Sequence, residues 1–318
     1  MKRTFSIIVP VYNRPNEIDE LLASLTKQNY ADDFEVLIVE DGSTDTCEHY
    51  IEKYRSHLNL RYFFKENTGA GRSRNFGMQH AKGTYFIILD SDVLVPEQYL
   101  TEVSKALEEN DTDAFGGPDA AHESFTIVQK AINYSMTAVL TTGGIRGKKK
   151  AVGTFQPRSF NLGMSKKAFD LTQGFSDLKV GEDIDLTFRL WANGCKTQLI
   201  EKAYVYHKRR STIQQFFQQT FAFGTARPQL TTRYPETAKF TYWFPSLFTI
   251  GFYLSISATF LGIWQLLLLY YFYFLLIFFD ALLQSKNLRV AFLSIITTFA
   301  QHFAYGSGFL VSWFSKKS

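Results

Sequence analysis

Cysteine is scarce in this chain: 318 residues contain two, Cys47 and Cys195. Thiols so far apart supply neither a disulfide framework nor a Cys-x-x-Cys metal pair, and reduced thiols in a cytosolic domain are expected. The opening stretch, MKRTFSIIVPVYN, lacks the character of a secretory leader, because Pro10 ends its apolar run after about five residues. No Gly-rich phosphate loop opens the first strand–helix pair, which counts against a nucleotidyltransferase. The formal net charge of +4 is too mild to suggest a nucleic-acid partner. Charge is missing altogether in two places. Neither Phe244–Phe279 nor Val290–Ser315 contains an Asp, Glu, Lys or Arg. A helix crossing a bilayer core needs about 20 apolar residues. The first run is right for two spans turning near Gly262–Gln265, and the second fits a third. Lys286 and Arg289 lie between spans two and three, which places that loop and the preceding basic domain in the cytoplasm. Lys316 and Lys317 then fall outside, a conflict that a partly inserted third segment resolves.

Before these runs the chain alternates. Apolar residues make up 46% and charged residues 20%, enough apolar material for one large core or two smaller ones. FSIIVPVYN (Phe5–Asn13), FEVLIVEDGSTD (Phe34–Asp45), LRYFFKEN (Leu60–Asn67) and TYFIIL (Thr84–Leu89) each contain a short apolar run typical of a buried strand. Between them, NEIDELLASLTKQ has helical spacing at Ile18, Leu21, Leu22 and Leu25, with Asn16 as its expected N-cap. GAGRSRNFGMQHA is a Gly-started helix, and PEQYLTEVSKALEEN is a helix beginning at Pro96. The pattern predicts an α/β fold with a mostly parallel central sheet and helices on both faces. Ligands of such sheets bind beyond the carboxyl ends of the strands, so Asn13, Asp41, Asp90 and Asp92 should line one crevice.

The middle is less regular. An amphipathic helix is expected over His122–Thr142, a basic loop at GGIRGKKK (Gly143–Lys150), a strand and short helix within Pro157–Phe175, and a helix in GEDIDLTFRLWANG. IQQFFQQTFAFG puts Ile213, Phe216, Phe217 and Phe221 on one helical face beside HKRR, suited to a membrane surface or to a core. The expected domains are therefore 1–210, catalytic; 211–240, an interfacial helix and linker; and 241–318, transmembrane with two to three helices.

Asp90 and Asp92 repel each other unless a cation joins them. Paired carboxylates of this kind suit Mg²⁺ or Mn²⁺, which commonly bridges to substrate phosphates. His207 follows a strand-like AYVYH and is a candidate third metal ligand or phosphate contact. Glu182, Asp183 and Asp185 crowd a helix start, where the dipole favours negative charge; acids there also serve as plain caps.

SIIVPVYNRP, VLIVEDGSTD, NTGAGRSRNFG, FIILDSD and GEDIDLTFRL occur in this order and together resemble the family-2 glycosyltransferases, which have the GT-A fold. The resemblance covers roughly Lys2 to Lys208, and the apolar tail is similar to that of membrane-bound members acting on polysaccharide or lipid-linked acceptors. It implies that Pro10, Tyr12, Asn13, Asp41, Arg74, Asp90 and Ser91 hold a nucleotide-sugar, with Asp41 at the uracil ring and Arg74 near base or diphosphate. It further implies that Asp90 and Asp92 bind Mn²⁺ or Mg²⁺, with Asp92 the more direct ligand, and that Asp183 is the catalytic base. Glu182, Arg209 and Arg210 are candidate acceptor or diphosphate contacts. The implied activity is inverting transfer from a UDP-sugar to a glycan or lipid-linked acceptor, at the cytoplasmic face of a bacterial inner membrane. A polyprenyl-phosphate sugar synthase is the alternative, and a non-catalytic sugar-nucleotide-binding scaffold a third. One departure matters: processive members carry Gln-x-x-Arg-Trp after the base, where this chain reads QQFFQQTF. Addition of one or few sugars is expected.

Overall fold

FSIIVPV forms β1 (Phe5–Val11), a strand buried along its whole length. The structure is a computed structural model, described here for residues 3–143 and 155–315. Residues 144–150 of the expected basic loop lie outside these. The described residues divide into two compact units: 3–122 with 155–208, and 123–143 with 209–315. The first unit is thus interrupted in sequence by residues that belong to the second.

In the first unit β1 is followed by α1 (Pro15–Leu25), β2 (Phe34–Asp41), α2 (Glu48–Tyr54), β3 (Asn59–Lys65), α3 (Ala70–His80), β4 (Tyr85–Leu89), β5 (Val93–Leu94), α4 (Tyr99–Glu109), β6 (Ala114–Gly116) and β7 (Asp119–Ala120). After the excursion carrying α5 (Ile127–Thr137) and α6 (Val139–Thr142), it resumes with β8 (Asn161–Ser165), α7 (Lys166–Thr172), α8 (Glu182–Ala192), β9 (Thr197–Leu199) and β10 (Val205–His207). Seven strands form one sheet in the order β3-β2-β1-β4-β8-β6-β9. β3, β2, β1 and β4 run parallel, and β8 is antiparallel to both β4 and β6. The α/β expectation with a mostly parallel sheet therefore holds. β5, β10 and β7 make a second small sheet, in which β10 brings His207 opposite Val93.

Strand residues alternate between two cores, as the period of a strand requires. Ile7, Val9, Val36 and Ile38 join Ile18, Leu21, Leu22, Leu100 and Val103 on one face. Ile8, Leu37, Phe86 and Ile88 join Met78, Phe169, Leu186 and Leu190 on the other. Several element boundaries differ from expectation. α1 begins at Pro15 with Arg14 at its cap, and no side chain caps it, so Asn16 is inside the helix. α4 starts at Tyr99, whose amide donates to the Pro96 carbonyl. The expected His122–Thr142 helix is two helices, because Ala138 is extended (ψ 148°). α5 instead starts from a capping box in which Thr126 and Gln129 satisfy each other's amides.

The second unit is helical. After α5 and α6 come α9 (Ile213–Arg233), two short 3-10 turns, α10 (Phe244–Thr259), α11 (Gln265–Ser285) and α12 (Leu288–Ser315). The turn after α10 falls at Gly262, with φ +80°, close to the expected position. α9 packs along α12, where Gly224 lies against the Tyr305 carbonyl, and its Phe216 is buried with Ile132 and Met136 of α5. α11 is the one helix among the described residues long and apolar enough to cross a membrane by length and composition. α10, at 16 residues, falls short of that length.

Candidate active site

The carboxyl ends of the parallel strands carry the acids, as the topology requires. β2 ends in Glu40 and Asp41, both buried. Asp41 forms an ion pair with Lys65 and accepts from the Thr68 and Gly69 amides, both at 2.9 Å. Burial alone would raise its pKa, but Lys65, the Thr68 amide and the Ser73 hydroxyl outweigh that and hold it below the usual aspartate value. Glu40 organises the following loop by accepting from Ser43 and from the Cys47 amide. Burial, then the neighbouring Glu40, pushes the Cys47 thiol far above its ordinary value, so it is inert. At the end of β1, Pro10 is buried and Tyr12 is 52% exposed. Asn13 takes a left-handed φ of 52°, and its Oδ1 accepts from the Thr44 and Asp45 amides. Asn13 thus ties two strand-end loops together.

β4 delivers Asp90, Ser91 and Asp92. Ser91 is buried. Ligand atoms of Asp90, Asp92 and His207 all lie within 4.8 Å of one another. Two carboxylates and an imidazole in that space are a donor set that fits Mn²⁺ or Mg²⁺. Cationic side chains already neutralise the acids. Arg14 Nη1 donates to Asp92 Oδ2 at 2.6 Å, and Arg74 Nη2 donates to Asp90 Oδ1 at 2.8 Å. Burial would raise the Asp92 pKa, but His207, with Nε2 at 3.3 Å, and Arg14 hold it well below the aspartate range. The His207 ring stacks on Phe160, and its Nδ1 is 3.8 Å from buried Asp119, which steadies the ring from behind.

Gly181, at φ +82°, makes the left-handed turn that starts α8 and projects Glu182 and Asp183 from its first turn. Glu182 accepts from Arg74 Nη1 at 3.0 Å. Burial first, and adjacent Asp183 second, push the Glu182 carboxyl above its usual value despite Arg74. Asp183 accepts from the Ile184 amide at 2.8 Å and from the Ser159 amide at 3.5 Å, and Arg158 Nη1 stands 3.7 Å from its Oδ2. Buried Arg74 therefore grips Asp90 and Glu182 at once, with Phe175 beside its guanidinium, and so ties the strand acids to the helix that carries Asp183. Its place is that of an internal strut. Arg209 and Arg210 belong to the second unit, where Arg209 Nη2 donates to Asn133 Oδ1 at 3.3 Å.

Arg14, Asp119 and Arg158 were not among the sequence candidates. Arg14 stands inside the quoted YNRP stretch, so its neighbours pointed to it. Asp119 sits in a two-residue strand and Arg158 in an irregular segment, and neither carries a local signal.

A mostly parallel sheet with acids gathered at its strand ends, and a helix that brings further carboxylates to them, defines an α/β protein with a candidate cation site. The family model described as Glycosyl transferase family 2 matches residues 6–170, and the chain belongs to that family. Over 112 residues it is 38% identical to the poly(ribitol-phosphate) beta-N-acetylglucosaminyltransferase TarS of Staphylococcus aureus, a match covering 34% of this chain and 20% of that protein. It is 26% identical over 235 residues to the chondroitin synthase of Escherichia coli, covering 64% of this chain and 34% of the other. The matches thus span between about a fifth and a third of those proteins' lengths. Among solved structures, TarS 1-349 in complex with UDP-GlcNAc is similar at TM-score 0.51 and 26% identity, over 70% of this chain and 65% of that one.

Proposed function

We propose that this chain is an inverting glycosyltransferase that moves a sugar from a UDP-sugar to a hydroxyl of a glycan or lipid-linked acceptor in cell-surface polysaccharide synthesis. The observation that carries the reading is Arg74, which pairs with Asp90 and Glu182 at once and so joins the strand acids to the helix on which the base would stand. The named substrates of TarS and of its UDP-GlcNAc complex support the donor. Exposed Tyr12 and buried Asp41 flank the strand ends where the uridine would lie.

Asp90, Asp92 and His207 would hold the Mn²⁺ or Mg²⁺, which supplies charge neutralisation for the leaving diphosphate. Arg14 is placed to exchange Asp92 for a diphosphate oxygen. Asp183 takes the proton from the acceptor hydroxyl as its oxygen attacks the anomeric carbon. The bond from that carbon to the diphosphate breaks on the opposite face, UDP leaves, and configuration inverts. Glu182, whose carboxyl burial and adjacent Asp183 hold above its usual value, stays paired with Arg74, and Asp183 is the carboxylate turned to the acceptor. A carboxylate base suits a hydroxyl nucleophile, which must lose its proton, better than a lipid phosphate, which is already ionised and needs no base.

The second unit supports attachment to a membrane. α11 is apolar from Leu266 to Phe279, with Asp280 near its end, and 11% of its most apolar window is buried. Insertion of α11, with α10 and α12 beside it, would keep the catalytic unit at the cytoplasmic face of the inner membrane. The test is transfer by the purified chain from a panel of UDP-sugars, with Mn²⁺ or with chelator. Transfer from some UDP-sugar that chelation abolishes is expected. Undiminished transfer under chelation would remove the cation from the mechanism, and absence of UDP binding would remove the whole reading.

A further inference from the structure

Arg158 stands apart from Arg74 and Arg189, two other arginines of its unit largely withdrawn from water. Arg74 has carboxylates at 2.8 and 3.0 Å. Arg189 donates to Asp185, to the Thr172 carbonyl and to the Gly174 carbonyl, all within 2.9 Å. The Arg158 side chain is 14% exposed, yet its closest acid is Asp183 at 3.7 Å, beyond hydrogen-bond reach. Its Nε is buried with no hydrogen-bond partner among the described residues, as is that of Arg74, but both Nη atoms of Arg74 meet carboxylates and neither of Arg158 comes within hydrogen-bond distance of one. Its backbone, by contrast, is fixed: the Arg158 carbonyl accepts from the Asn161 amide at 3.0 Å, where the chain turns into β8. A guanidinium largely withdrawn from water and so thinly paired is costly unless an anion completes it.

We infer that Arg158 is a specificity-determining residue that binds an anionic group on the acceptor, a phosphate or a carboxylate close to the reacting hydroxyl. The inference rests on the proposed role of Asp183. The group that meets the base is the acceptor hydroxyl, so an anion held by the arginine next to that base sits on the acceptor. The planar guanidinium offers two parallel donors to either kind of anion. One residue thereby selects acidic acceptors and, by drawing the anion to itself, turns the neighbouring hydroxyl toward Asp183.

The experiment is binding to the full chain loaded with UDP and Mn²⁺, which fills the donor site so that added anions cannot occupy it. Glycerol 1-phosphate tests the phosphate source, methyl β-D-glucuronide the carboxylate source, and methyl β-D-glucoside is the neutral control. At least one anion is expected to bind more tightly than the glucoside. Arg158→Gln should weaken that anion by about tenfold or more, the loss of a charge-assisted pair, with the glucoside unaffected. Arg158→Lys should recover part of the loss. The anion that responds identifies the source. If neither anion binds the loaded wild-type chain better than the glucoside, or if Arg158→Gln binds anions as the wild type does, the inference is wrong while the transferase reading stands. If UDP itself does not bind, the transferase reading fails first, and the two failures are told apart.

Discussion

In the α/β unit Ile7, Ile8, Leu37 and Ile88 are completely buried, and the polar side chains of the site gather at the strand ends. In the helical unit the arrangement is turned inside out. Phe260 is 87% exposed and Leu269 67%, while Ser246, Ser294, Thr297 and Thr298 are buried. The buried hydroxyls pair with each other and with backbone, as in the 2.7 Å contact of Ser135 with Thr297. Water rewards the first arrangement and penalises the second. An apolar solvent reverses the preference, because helices there gain nothing from burying leucine and associate through small and hydroxyl side chains. The two units therefore present opposite surfaces, one with its apolar residues enclosed and its polar residues at the strand ends, the other with apolar side chains outermost.

The sharpest way to break that division is at the base. Asp183→Asn should lower transfer by about 10³-fold, within the range of lost general-base catalysis, and leave UDP binding intact. A variant retaining more than about a tenth of the wild-type rate would take the base role away from Asp183. Asp92→Asn should weaken Mn²⁺ by about 100-fold or more, read by titration of the metal in the absence of donor; loss of a mere outer partner costs about 10- to 100-fold. Equal Mn²⁺ affinity in the two proteins would place the cation elsewhere.

Next in size are paired substitutions of leucine, one in each unit. Leu22→Ala removes a side chain from the closed core beside β1 and should destabilise by about 2–5 kcal/mol, measured by denaturant unfolding of the α/β unit's signal. Leu269→Ala, on the outer face of α11, should change stability in detergent by less than about 0.5 kcal/mol. Leu269→Lys should instead weaken membrane retention of the full chain, by up to about 3 kcal/mol if the residue reaches the bilayer centre. Full retention of Leu269→Lys in the membrane fraction, with α11 released by protease, would show that α11 does not insert.

Much of the α/β unit is legible in the sequence, because each buried strand is a run of apolar residues and each strand end an abrupt change to Asp or Asn. The Asp90–Asp92 pair and the acids opening α8 are visible for the same reason, although their roles came from resemblance. What the sequence hides is pairing across distance. Arg14 meets Asp92 from 78 positions away, and Arg74 meets Glu182 from 108. Nothing near either arginine announces the partner, so the sequence offers Arg74 as a nucleotide or diphosphate contact and does not show that it also pairs with Asp90 and Glu182. Asn13 reads as a ligand contact, and nothing beside it announces that its Oδ1 also closes a loop thirty-one residues on. The split between α5 and α6 rests on one extended residue, Ala138, in a sequence with continuous helical character. In the helical unit, the two uncharged runs announce apolar helices but not which faces of α9 and α12 meet. That is set by close approach at small residues such as Gly224.

The smallest predicted effect tests whether charge pairing belongs to the α/β unit alone. Asp41 is held below the usual value of 3.8 by Lys65 and backbone amides working against burial. A carboxyl whose folded pKa is depressed contributes stability that is fully present above its unfolded value and lost as pH falls through the folded one. Asp41→Asn should therefore destabilise by about 2 kcal/mol at pH 7, less than the roughly 3–5 kcal/mol of a wholly buried pair because Lys65 is partly exposed. The difference between wild type and variant should shrink as the pH is lowered below about 4, where the unfolded chain takes up protons that the folded carboxylate resists. Leu269→Ala, in the unit where no such pair is at stake, should show the same small effect at both ends of that range. A wild-type to Asp41→Asn difference that stays constant from pH 7 to pH 3 would mean that the Lys65 pair adds nothing to folding, and that Asp41 is retained for the nucleotide rather than for the strand end that carries it.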